Sequence, residues 1–285
     1  MSLQIVDWPD FLARGSKTSI ERERERESEG AAITIGVFDG VHLGHQALIR
    51  RIVDRGPNPT VLTFRENPKK ISGEYEGDLS SLKQKLSAFE NLGVSRVVLI
   101  DFSPEFSRLK GREFLDLLTG RGGMGFLAIG RHFHCGFRQD TDAVLAKEIN
   151  SEKGIPTELL PPITLPLEAG NGPFSSSRIR SAVISGDLKL AAALLGRNFG
   201  LDLSDITPVY GQNGYKGDGK NGRENSKTFV YDLRSVNRIV PAEGGYSVLI
   251  NPGGKTGRVD VKDGKVFLSS EADSLDFLST QFRSE

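Results

Sequence analysis

The four histidines are the first candidates for functional residues, and they lie in two short segments. His42 and His45 lie three positions apart, His132 and His134 two apart, and the chain has no other histidine. An imidazole can donate hydrogen bonds, exchange a proton or bind a metal near neutral pH. The grouping indicates two loops at the same end of a sheet that contribute to one site.

The first pair lies in the segment Gly36–His45, between a predicted strand and a predicted helix. Residues Ala31–Ile35 read as a buried parallel strand, and residues His45–Asp54 place apolar side chains on one helical face. Ligands of open α/β sheets bind at such strand ends, and the free N–H groups of a helix start favour phosphate. Gly36 and Gly44 let the backbone approach a ligand closely. The segment predicts a phosphate site where two imidazoles stabilise developing negative charge.

A zinc site built from the same four histidines is the alternative. A His-x-x-His pair and a His-x-His pair without supporting acidic residues favour a metal less than they favour phosphate. No protein ligand for a metal is therefore assigned.

A second anion site is predicted at Phe174–Arg180, at the start of another helix. Its three consecutive serines are natural N-caps, and Arg178 and Arg180 bring two guanidinium groups to the same place. Hydroxyls, free N–H groups and arginines suit the outer phosphates of a nucleoside triphosphate. Together, the two segments predict the two jaws of a triphosphate clamp.

The elements that position these segments alternate between strand and helix, which predicts an α/β fold with a parallel sheet covered on both faces. The predicted strands are Ala31–Ile35, Thr60–Phe64, Val97–Phe102, Phe126–Ile129 and Thr157–Leu160. The predicted helices are His45–Asp54, Ser81–Leu92, Glu113–Leu118, Asp140–Lys153, Ser177–Ile184 and Leu188–Leu195.

The flanking regions differ from this α/β part. Residues 1–30 read as a lead-in, whose charge run Glu21–Glu27 is a solvated edge or, as the alternative, a docking face. Residues 201–285 predict a small all-β domain with apolar runs at Thr228–Leu233, Tyr246–Ile250, Gly257–Val261 and Lys265–Leu268. The turn Lys262-Asp263-Gly264 predicts a hairpin between the last two runs. The α/β domain is thus assigned to residues 31–200.

The two anion segments resemble the signatures of the HxGH nucleotidyltransferases, a superfamily with a Rossmann-like domain. The closest resemblance is to the FAD synthetase part of bacterial bifunctional riboflavin kinase/FMN adenylyltransferases. The family signature G-x-F-D-G-x-H-x-G-H is matched by Gly36, Phe38, Asp39, Gly40, His42, Gly44 and His45. The signature S-S-T-x-I-R is matched, with serine for threonine, by Ser175, Ser176, Ser177, Ile179 and Arg180. The resemblance runs in order through residues 33–200.

This resemblance implies transfer of AMP from Mg²⁺-bound ATP to FMN, giving FAD and pyrophosphate. Catalytic roles are then implied for His42, His45 and Arg180. ATP binding is implied for Gly36, Phe38, Asp39, Gly44, Ser176, Ser177 and Arg178. Flavin binding is implied for Thr63, Phe64, Gly130, Phe133 and Gly136. Mg²⁺ is the implied cofactor and ATP and FMN are the implied substrates, while the oligomeric state is left open.

The flavin side departs from the family pattern. The strand end T-F-x-P-H-P has Glu66 and Asn67 in place of a proline and the histidine, and the loop G-x-D/N-F-x-F-G has His132 and Cys135 at its third and sixth positions. An adenylyltransferase for another phosphorylated acceptor and a non-catalytic nucleotide or flavin sensor are therefore the alternatives. Residues 201–285 lack the G-F-P-T-A-N segment of the family's kinase barrel, which predicts a degenerate barrel without riboflavin kinase activity.

Composition excludes several other classes of function. Lysine plus arginine equals aspartate plus glutamate, at 37 each, so a general nucleic-acid binder is not expected. The single cysteine excludes an intrachain disulfide, and the sequence has no apolar run of membrane-spanning length. We expect a cytoplasmic protein without a membrane or nucleic-acid partner.

Overall fold

The computed structural model describes residues 2–14, 30–56, 58–72, 75–163, 172, 174–211, 228–251, 254–268 and 274–277. The charge run Glu21–Glu27, and with it the docking alternative, lies outside the described residues. The chain forms two compact units. The first comprises Met1–Tyr75 and Lys85–Thr164, and the second comprises Glu76–Gln84 and Leu165–Glu285. None of the described helices is long and apolar enough to cross a membrane.

The first unit is a parallel sheet covered by helices. Its strands are β1 (Gln4–Asp7), β2 (Ala31–Ile35), β3 (Pro59–Phe64), β4 (Arg96–Ile100), β5 (Met124–Gly130), β6 (His134–Cys135), β7 (Thr141–Asp142) and β8 (Thr157–Leu160). Its helices are α1 (Trp8–Arg14), α2 (Leu43–Val53), α3 (Leu82–Asn91), α4 (Pro104–Ser107), α5 (Gly111–Gly120) and α6 (Ala143–Ser151), with short 3₁₀ helices at Pro68–Ser72 and Phe137–Gln139. The alternation predicted for residues 31–160 is confirmed.

The six-stranded sheet has the order β1-β4-β3-β2-β5-β8, and every neighbouring pair in it is parallel. From β2 the chain moves outward through β3 to β4, and it then returns to place β5 and β8 on the other side of β2. The strand order therefore reverses between β2 and β5, and ligands of such sheets bind outside the carboxyl ends of the strands at this point. The Gly36–His45 turn follows β2 directly.

Burial on both faces explains why the central strands read as uninterrupted apolar runs. All five residues of β2 are buried, as are five of the six residues of β3. One face packs on α5 and α6 in a core that includes Ile33, Leu127 and Leu115. The opposite face lies against α2, whose Ile49 and Ile52 are fully buried. The layers hold the ends of β2 and β5 as a fixed base for the loops that follow them.

The sheet also includes residues that the sequence analysis assigned to the lead-in. Gln4–Asp7 forms the edge strand β1 and pairs with β4, with Val6 opposite Val98. The sequence does not predict this strand, because only Val6 of its four residues is buried and the segment carries almost no apolar signal. Its side chains and those of α1 are placed by contacts with distant residues, such as Trp8 against Phe114 at 5.7 Å between ring centroids.

Among its described residues, the second unit contains two helices and a seven-stranded sheet. The helices are α7 (Ser176–Ile184) and α8 (Leu188–Leu195). The strands are β9 (Phe199–Asp202), β10 (Val209–Gly211), β11 (Thr228–Asp232), β12 (Gly244–Asn251), β13 (Lys255–Lys262), β14 (Lys265–Leu268) and β15 (Ser274–Phe277), with a 3₁₀ helix at Leu233–Val236. The sheet order is β10-β11-β14-β13-β12-β15-β9 and all its pairs are antiparallel, so the predicted β-rich C-terminal part is confirmed.

The predicted hairpin joins β13 to β14. Lys262 pairs with Lys265, and the two residues between them have positive φ angles, 50° at Asp263 and 68° at Gly264. Positive φ at both central residues defines the type I′ turn, whose twist matches that of the flanking strands. The Asp-Gly pair was therefore a reliable local signal.

Helices α7 and α8 pack in the core of the second unit. Their residues Ile179, Val183 and Leu188 share a buried cluster with Phe199 and Tyr231. The compact units consequently divide at Thr164 and Leu165, whereas the sequence analysis places its domain boundary at residues 200 and 201. The assignment of residues 31–200 to one functional domain stays a prediction, because the compact units are defined by contacts and not by function.

Candidate nucleotide site

The turn after β2 adopts a strained backbone. Phe38 and Val41 have positive φ angles of 52° and 40°, and Gly40 has one of 79°. A β-branched residue such as Val41 rarely adopts this conformation, and strain of this kind persists only where packing over-determines it. Phe38 supplies that packing, because its ring is buried edge-on against Phe89 at 5.7 Å between centroids. Strained turns of this type cluster at ligand sites.

Gly36 is required for this packing. A Cβ atom at Gly36 would lie 3.1 Å from the ring of Phe38, closer than ordinary contact. The aromatic position of the signature therefore has a structural role, with its ring 1% exposed in the core. The predicted ATP contact of Phe38 stays a prediction.

The two histidines of the turn stack on each other at the start of α2. Their ring centroids are 3.6 Å apart and the planes are inclined by 20°. His42 is the N-cap of the helix, and its Nδ1 accepts a hydrogen bond from the backbone N–H of His45 at 3.3 Å. A neutral His42 that accepts through Nδ1 carries its proton on Nε2. The cap thus fixes a tautomer in which Nε2–H is a donor.

His45 is held as a neutral imidazole. Burial lowers its pKa well below the usual value, and the charges of Lys85 and of His42, when His42 is protonated, lower it further. The Nδ1 atom of His45 is buried and has no hydrogen-bond partner among the described residues. At neutral pH the stacked pair can therefore donate hydrogen bonds to an oxyanion without introducing two cations into one site.

Lys85 is a residue of this region that the sequence analysis missed. Its side chain is buried, and Nζ donates to the carbonyl oxygen of Phe64 at 3.2 Å, at the end of β3. A signal was present, because Lys85 lies three residues after Leu82 and four before Phe89, on the apolar face of α3. A lysine on such a face is seldom buried without a specific role for its charge.

Thr63 connects the turn to the neighbouring strand, and Asp39 is buried within the turn. The hydroxyl of Thr63 is buried and donates to the carbonyl oxygen of Val37 at 3.1 Å, so β3 supports the turn. Asp39 is 4% exposed within the same turn. The predicted flavin contact of Thr63 and the predicted ATP contact of Asp39 stay predictions.

The loop after β5 contains the second histidine pair. Because β5 is the parallel neighbour of β2, Gly130 at its end lies on the same edge of the sheet as the turn. His132 and His134 are exposed, and His134 Nδ1 lies 3.1 Å from the carbonyl oxygen of His132. Phe133 is half-buried against the core of the first unit. The expected placement of both histidine pairs at one edge is confirmed.

Gly136 closes this loop and has a structural reason to be glycine. Its φ is +83°, and a Cβ atom there would lie 2.1 Å from Oδ1 of Asp140 and 2.3 Å from the backbone nitrogen of Gly111. That Asp140 oxygen accepts hydrogen bonds from the Gly111 N–H at 3.0 Å and from the Thr141 hydroxyl at 3.1 Å. The conformation is therefore fixed, and its predicted flavin contact stays a prediction.

Cys135 is not a nucleophile in this structure. Burial, and to a smaller extent the charge of Asp140, raises the pKa of its thiol to about 12. The thiol is therefore protonated near neutral pH and acts as a small apolar group.

An aromatic cluster lies at the ends of β3 and β4. Phe64 packs edge-on against Phe102 at 5.9 Å and Phe106 at 6.1 Å between ring centroids. Phe102 is 39% exposed, so this cluster presents an aromatic surface at the carboxyl edge of the sheet. The flavin contact of Phe64 stays a prediction.

The second anion segment belongs to the second compact unit. Ser175 is the N-cap of α7 and accepts a hydrogen bond from the backbone N–H of Arg178 at 3.2 Å. The Arg178 guanidinium donates to the carbonyl oxygen of Gly172 at 3.0 Å, and Nε of the buried Arg180 donates to that of Gly77 at 2.9 Å. Ser176 is half-buried and Ser177 is exposed in the first turn. The clamp formed with the histidine turn stays a prediction.

The described part of the chain has no group of three or more His, Cys, Asp or Glu side chains that could hold a metal ion. The described residues therefore provide no such cluster for the alternative zinc site. Mg²⁺ often binds through one or two carboxylates and the phosphates of its nucleotide. This arrangement fits a site whose turn provides a single aspartate, Asp39.

The switch-point turn with its paired histidines and the parallel sheet beneath it define a nucleotidyltransferase-type domain of the HxGH kind. The family model described as FAD synthetase matches residues 24–178, more than half of the chain. The chain therefore belongs to the FAD synthetase family.

Curated relatives agree with this assignment. The bifunctional riboflavin kinase/FMN adenylyltransferase of Escherichia coli strain K12 is 31% identical over 180 residues, which cover 61% of this chain and 56% of that protein. The protein of the same name from Bacillus subtilis strain 168 is 27% identical over 183 residues, with 61% and 56% covered. The match thus spans little more than half the length of these relatives.

One solved structure is similar over most of the chain. A protein from Streptococcus pneumoniae, described as a macrolide-efflux protein, superposes with a TM-score of 0.65 at 22% identity, covering 90% of this chain and 82% of that one. This similarity concerns the fold alone.

Proposed function

We propose that this protein transfers AMP from Mg²⁺-bound ATP to FMN, giving FAD and pyrophosphate, in the cytoplasm. The observation that carries the proposal is the stacked pair of His42 and neutral His45 at the start of α2, beside the point where the strand order reverses. Membership of the FAD synthetase family supports FMN as the acceptor. The small molecules ATP and FMN are the partners of this proposal.

The reaction needs positioning and charge stabilisation rather than a general base. An oxygen of the FMN phosphate, already ionised, attacks the α-phosphorus of ATP. The bond from that phosphorus to the bridging oxygen breaks, and its electron pair leaves with pyrophosphate. His42 Nε2–H and the imidazole of His45 donate hydrogen bonds to the α-phosphate and to the leaving group, where negative charge grows. Free N–H groups at the start of α2 add to this stabilisation.

The remaining nucleotide contacts come from the second segment. Arg180 and Ser177 hold the β- and γ-phosphates, and Ser176 and Arg178 complete the ATP site at the start of α7. Ser175 supports them as the cap of that helix. Mg²⁺ enters as part of the Mg·ATP substrate and neutralises charge on its phosphates. Asp39 orders the turn or contacts the metal-bound nucleotide.

The acceptor side is formed by the loops after β3 and β5. Phe64, Phe133 and the glycines Gly130 and Gly136 would line the flavin, with Thr63 beneath them. The exposed His132, in place of an acid or amide, favours one alternative, an adenylyltransferase with a different phosphorylated acceptor. Turnover assays with a panel of phosphorylated acceptors distinguish FMN from a different acceptor.

We further propose that riboflavin kinase activity is absent. Residues after Gly200 lack the G-F-P-T-A-N segment that the kinase barrel of the family carries near its start. Riboflavin is then not phosphorylated to FMN by this protein.

Turnover assays test these proposals directly. The purified full chain receives Mg·ATP with FMN, riboflavin, nicotinate mononucleotide or phosphopantetheine in separate reactions, and products are separated chromatographically. FAD from FMN, and no FMN from riboflavin, is the expected result. His45→Ala should reduce FAD formation by about 10²–10³-fold, the usual cost of removing one transition-state donor. Thermal unfolding checks that the variant is folded.

Other outcomes of the assay contradict particular parts of the proposal. Undiminished FAD formation by folded His45→Ala would contradict the assigned mechanism. Product from another acceptor, with none from FMN, would contradict the choice of FMN. Tight ATP binding without turnover of any acceptor would identify a non-catalytic sensor.

A further inference from the structure

A cationic groove runs along the outer edge of the first unit's sheet, apart from the histidine turn. Its cavity measures about 690 Å³ and lies between α2, α6 and the edge strand β8. This is within the usual size of a small-molecule site, roughly 300–1,000 Å³. The proposed reaction uses none of the residues that line it.

Positive charge is concentrated in this groove although the chain as a whole has no net charge. Arg51, Arg55, Arg131 and Lys147 line it, with Glu158 as the acidic residue among the lining residues. Glu158 is paired with Arg51, whose Nε lies 2.6 Å from a carboxylate oxygen. The other three cations form no ion pair with any described residue, so the groove presents an excess of about three positive charges. An anionic occupant complements it.

Apolar surface lies beside these cations. Val144 lines the groove and is 57% exposed, and Leu159 and Pro156 lie on the strand side. The guanidinium carbon of Arg55 is 5.1 Å from the centre of the Phe126 ring, a cation–π contact that favours this orientation of the side chain. A planar apolar group and a phosphate can therefore bind side by side, as a nucleotide requires.

The groove is distinct from the histidine turn by topology. Edge strand β8 lies two strand positions from β2, roughly 10 Å away across the sheet. Phe126, Pro156 and Thr157 belong to the beginnings of β5 and β8, and among the lining residues Arg131 follows the carboxyl end of β5, whereas the turn follows the carboxyl end of β2. Apart from its contact with Arg131, a ligand of the groove therefore meets a different part of the sheet from a ligand of the turn.

We propose that this groove binds a second nucleotide, with Arg55, Arg131 and Lys147 on its phosphates and Val144 and Leu159 against its base. Phosphate oxygens accept charge-assisted hydrogen bonds from arginine and lysine. The groove is a binding site and has no part in the adenylyl transfer. Its existence does not depend on FMN being the acceptor.

Isothermal titration with ADP tests this proposal on the full chain. The native protein should bind ADP at two classes of site, one at the turn and one in the groove. The double variant Arg55→Ser and Lys147→Ser should lose one class, or weaken it by about tenfold or more, because two charged donors are removed. The matched control Arg121→Ser and Lys189→Ser removes the same charge from exposed positions outside the groove and should keep both classes.

Further measurements make the result decisive. Tripolyphosphate should displace ADP from the groove of the native protein, which shows that the phosphates provide the contact. Equal ADP binding by the native protein and the groove variant, or equal loss in the groove and control variants, would overturn the proposal. So would an acidic peptide that binds the native groove where ADP does not. Failure of FAD formation leaves this titration unaffected, so the two proposals fail separately.

Discussion

The turn after β2 and the loop after β5 lie at the same edge of one sheet, on neighbouring strands, and they are built differently. In the turn, Phe38, Asp39, Val41 and His42 are all buried, each less than 6% exposed. In the loop, Arg131, His132 and His134 are exposed and only Phe133, Cys135 and Gly136 are half-buried. The turn matches its family signature at every fixed position, whereas the loop matches at three and departs at two.

This difference shows which part of the site packing constrains. Phe38, His42 and His45 pack against one another or the core, such as the Phe38 ring against His45 at 5.2 Å, so a substitution there disturbs the core and the chemistry together. In the loop, only Gly136 is constrained in the same way, and the exposed positions can change without cost to the core. We infer that packing fixes the turn, whereas the exposed loop positions, among them the departure from the family pattern at His132, are not fixed by packing.

The largest effect is expected at His42, where two substitutions distinguish its role as a helix cap from its role in catalysis. His42→Ala removes both the N-cap and a transition-state donor, and should reduce FAD formation by about 10²–10³-fold and stability by about 1 kcal/mol. His42→Asn keeps a cap acceptor and should show the same loss of turnover with little loss of stability. Steady-state kinetics and chemical denaturation measure the two effects. Full activity in His42→Asn would mean that the residue acts only as a cap.

The next effect tests the one constrained position of the loop. Gly136→Ala should destabilise the protein by about 3 kcal/mol, because its φ is +83° and the new Cβ atom meets Asp140 and the Gly111 backbone. The control is Gly120→Ala, where a Cβ atom meets nothing within 4 Å and the change should be neutral or slightly stabilising. Urea denaturation measures both. Equal stability of the two variants would contradict the assigned constraint.

A smaller effect is expected at the exposed positions of the loop. His132→Asn introduces the amide of the family pattern and should lower KM for FMN by up to about tenfold, the contribution of one hydrogen bond, without changing KM for ATP. The unfolding midpoint should not move, because the side chain is exposed. Steady-state kinetics with each substrate varied gives both constants. A change in KM for ATP alone would place this loop on the nucleotide side.

The smallest effect is a pH dependence of stability from His45. Its pKa is lowered in the folded protein, so between the folded value and the unfolded value near 6.5 the unfolded chain binds more protons. The contribution of neutral His45 to the free energy of unfolding is therefore fully present above about pH 6.5, and it is lost as the pH falls. When the pH is lowered from 7 to 6, the free energy of unfolding of the native protein should fall by about 0.7 kcal/mol more than that of His45→Gln. Identical pH profiles of the two proteins would show that His45 is not held neutral.

Much of the fold and part of the site could be predicted from sequence. The strands β2 and β8, the helix α8 and the Asp263-Gly264 turn were predicted at the observed positions, because each depends on a local pattern of side chains. Strand β1 was missed, because its pairing with β4 joins residues about ninety positions apart and leaves only Val6 buried. Lys85 was missed for a related reason, since its burial depends on β3 rather than on its own helix.

For the turn itself, the sequence determined which groups are present: glycines that permit close approach, two histidines at a helix start, and a strand before them. Only the tertiary structure decided their state. Burial makes His45 neutral, stacking on His42 aligns the pair, and the reversal of strand order places both at the crevice between β2 and β5. The groove beside β8 is also a product of tertiary structure, because its cations come from elements that are neighbours only in the folded sheet. Residue types are local, whereas protonation and proximity depend on what packs around them.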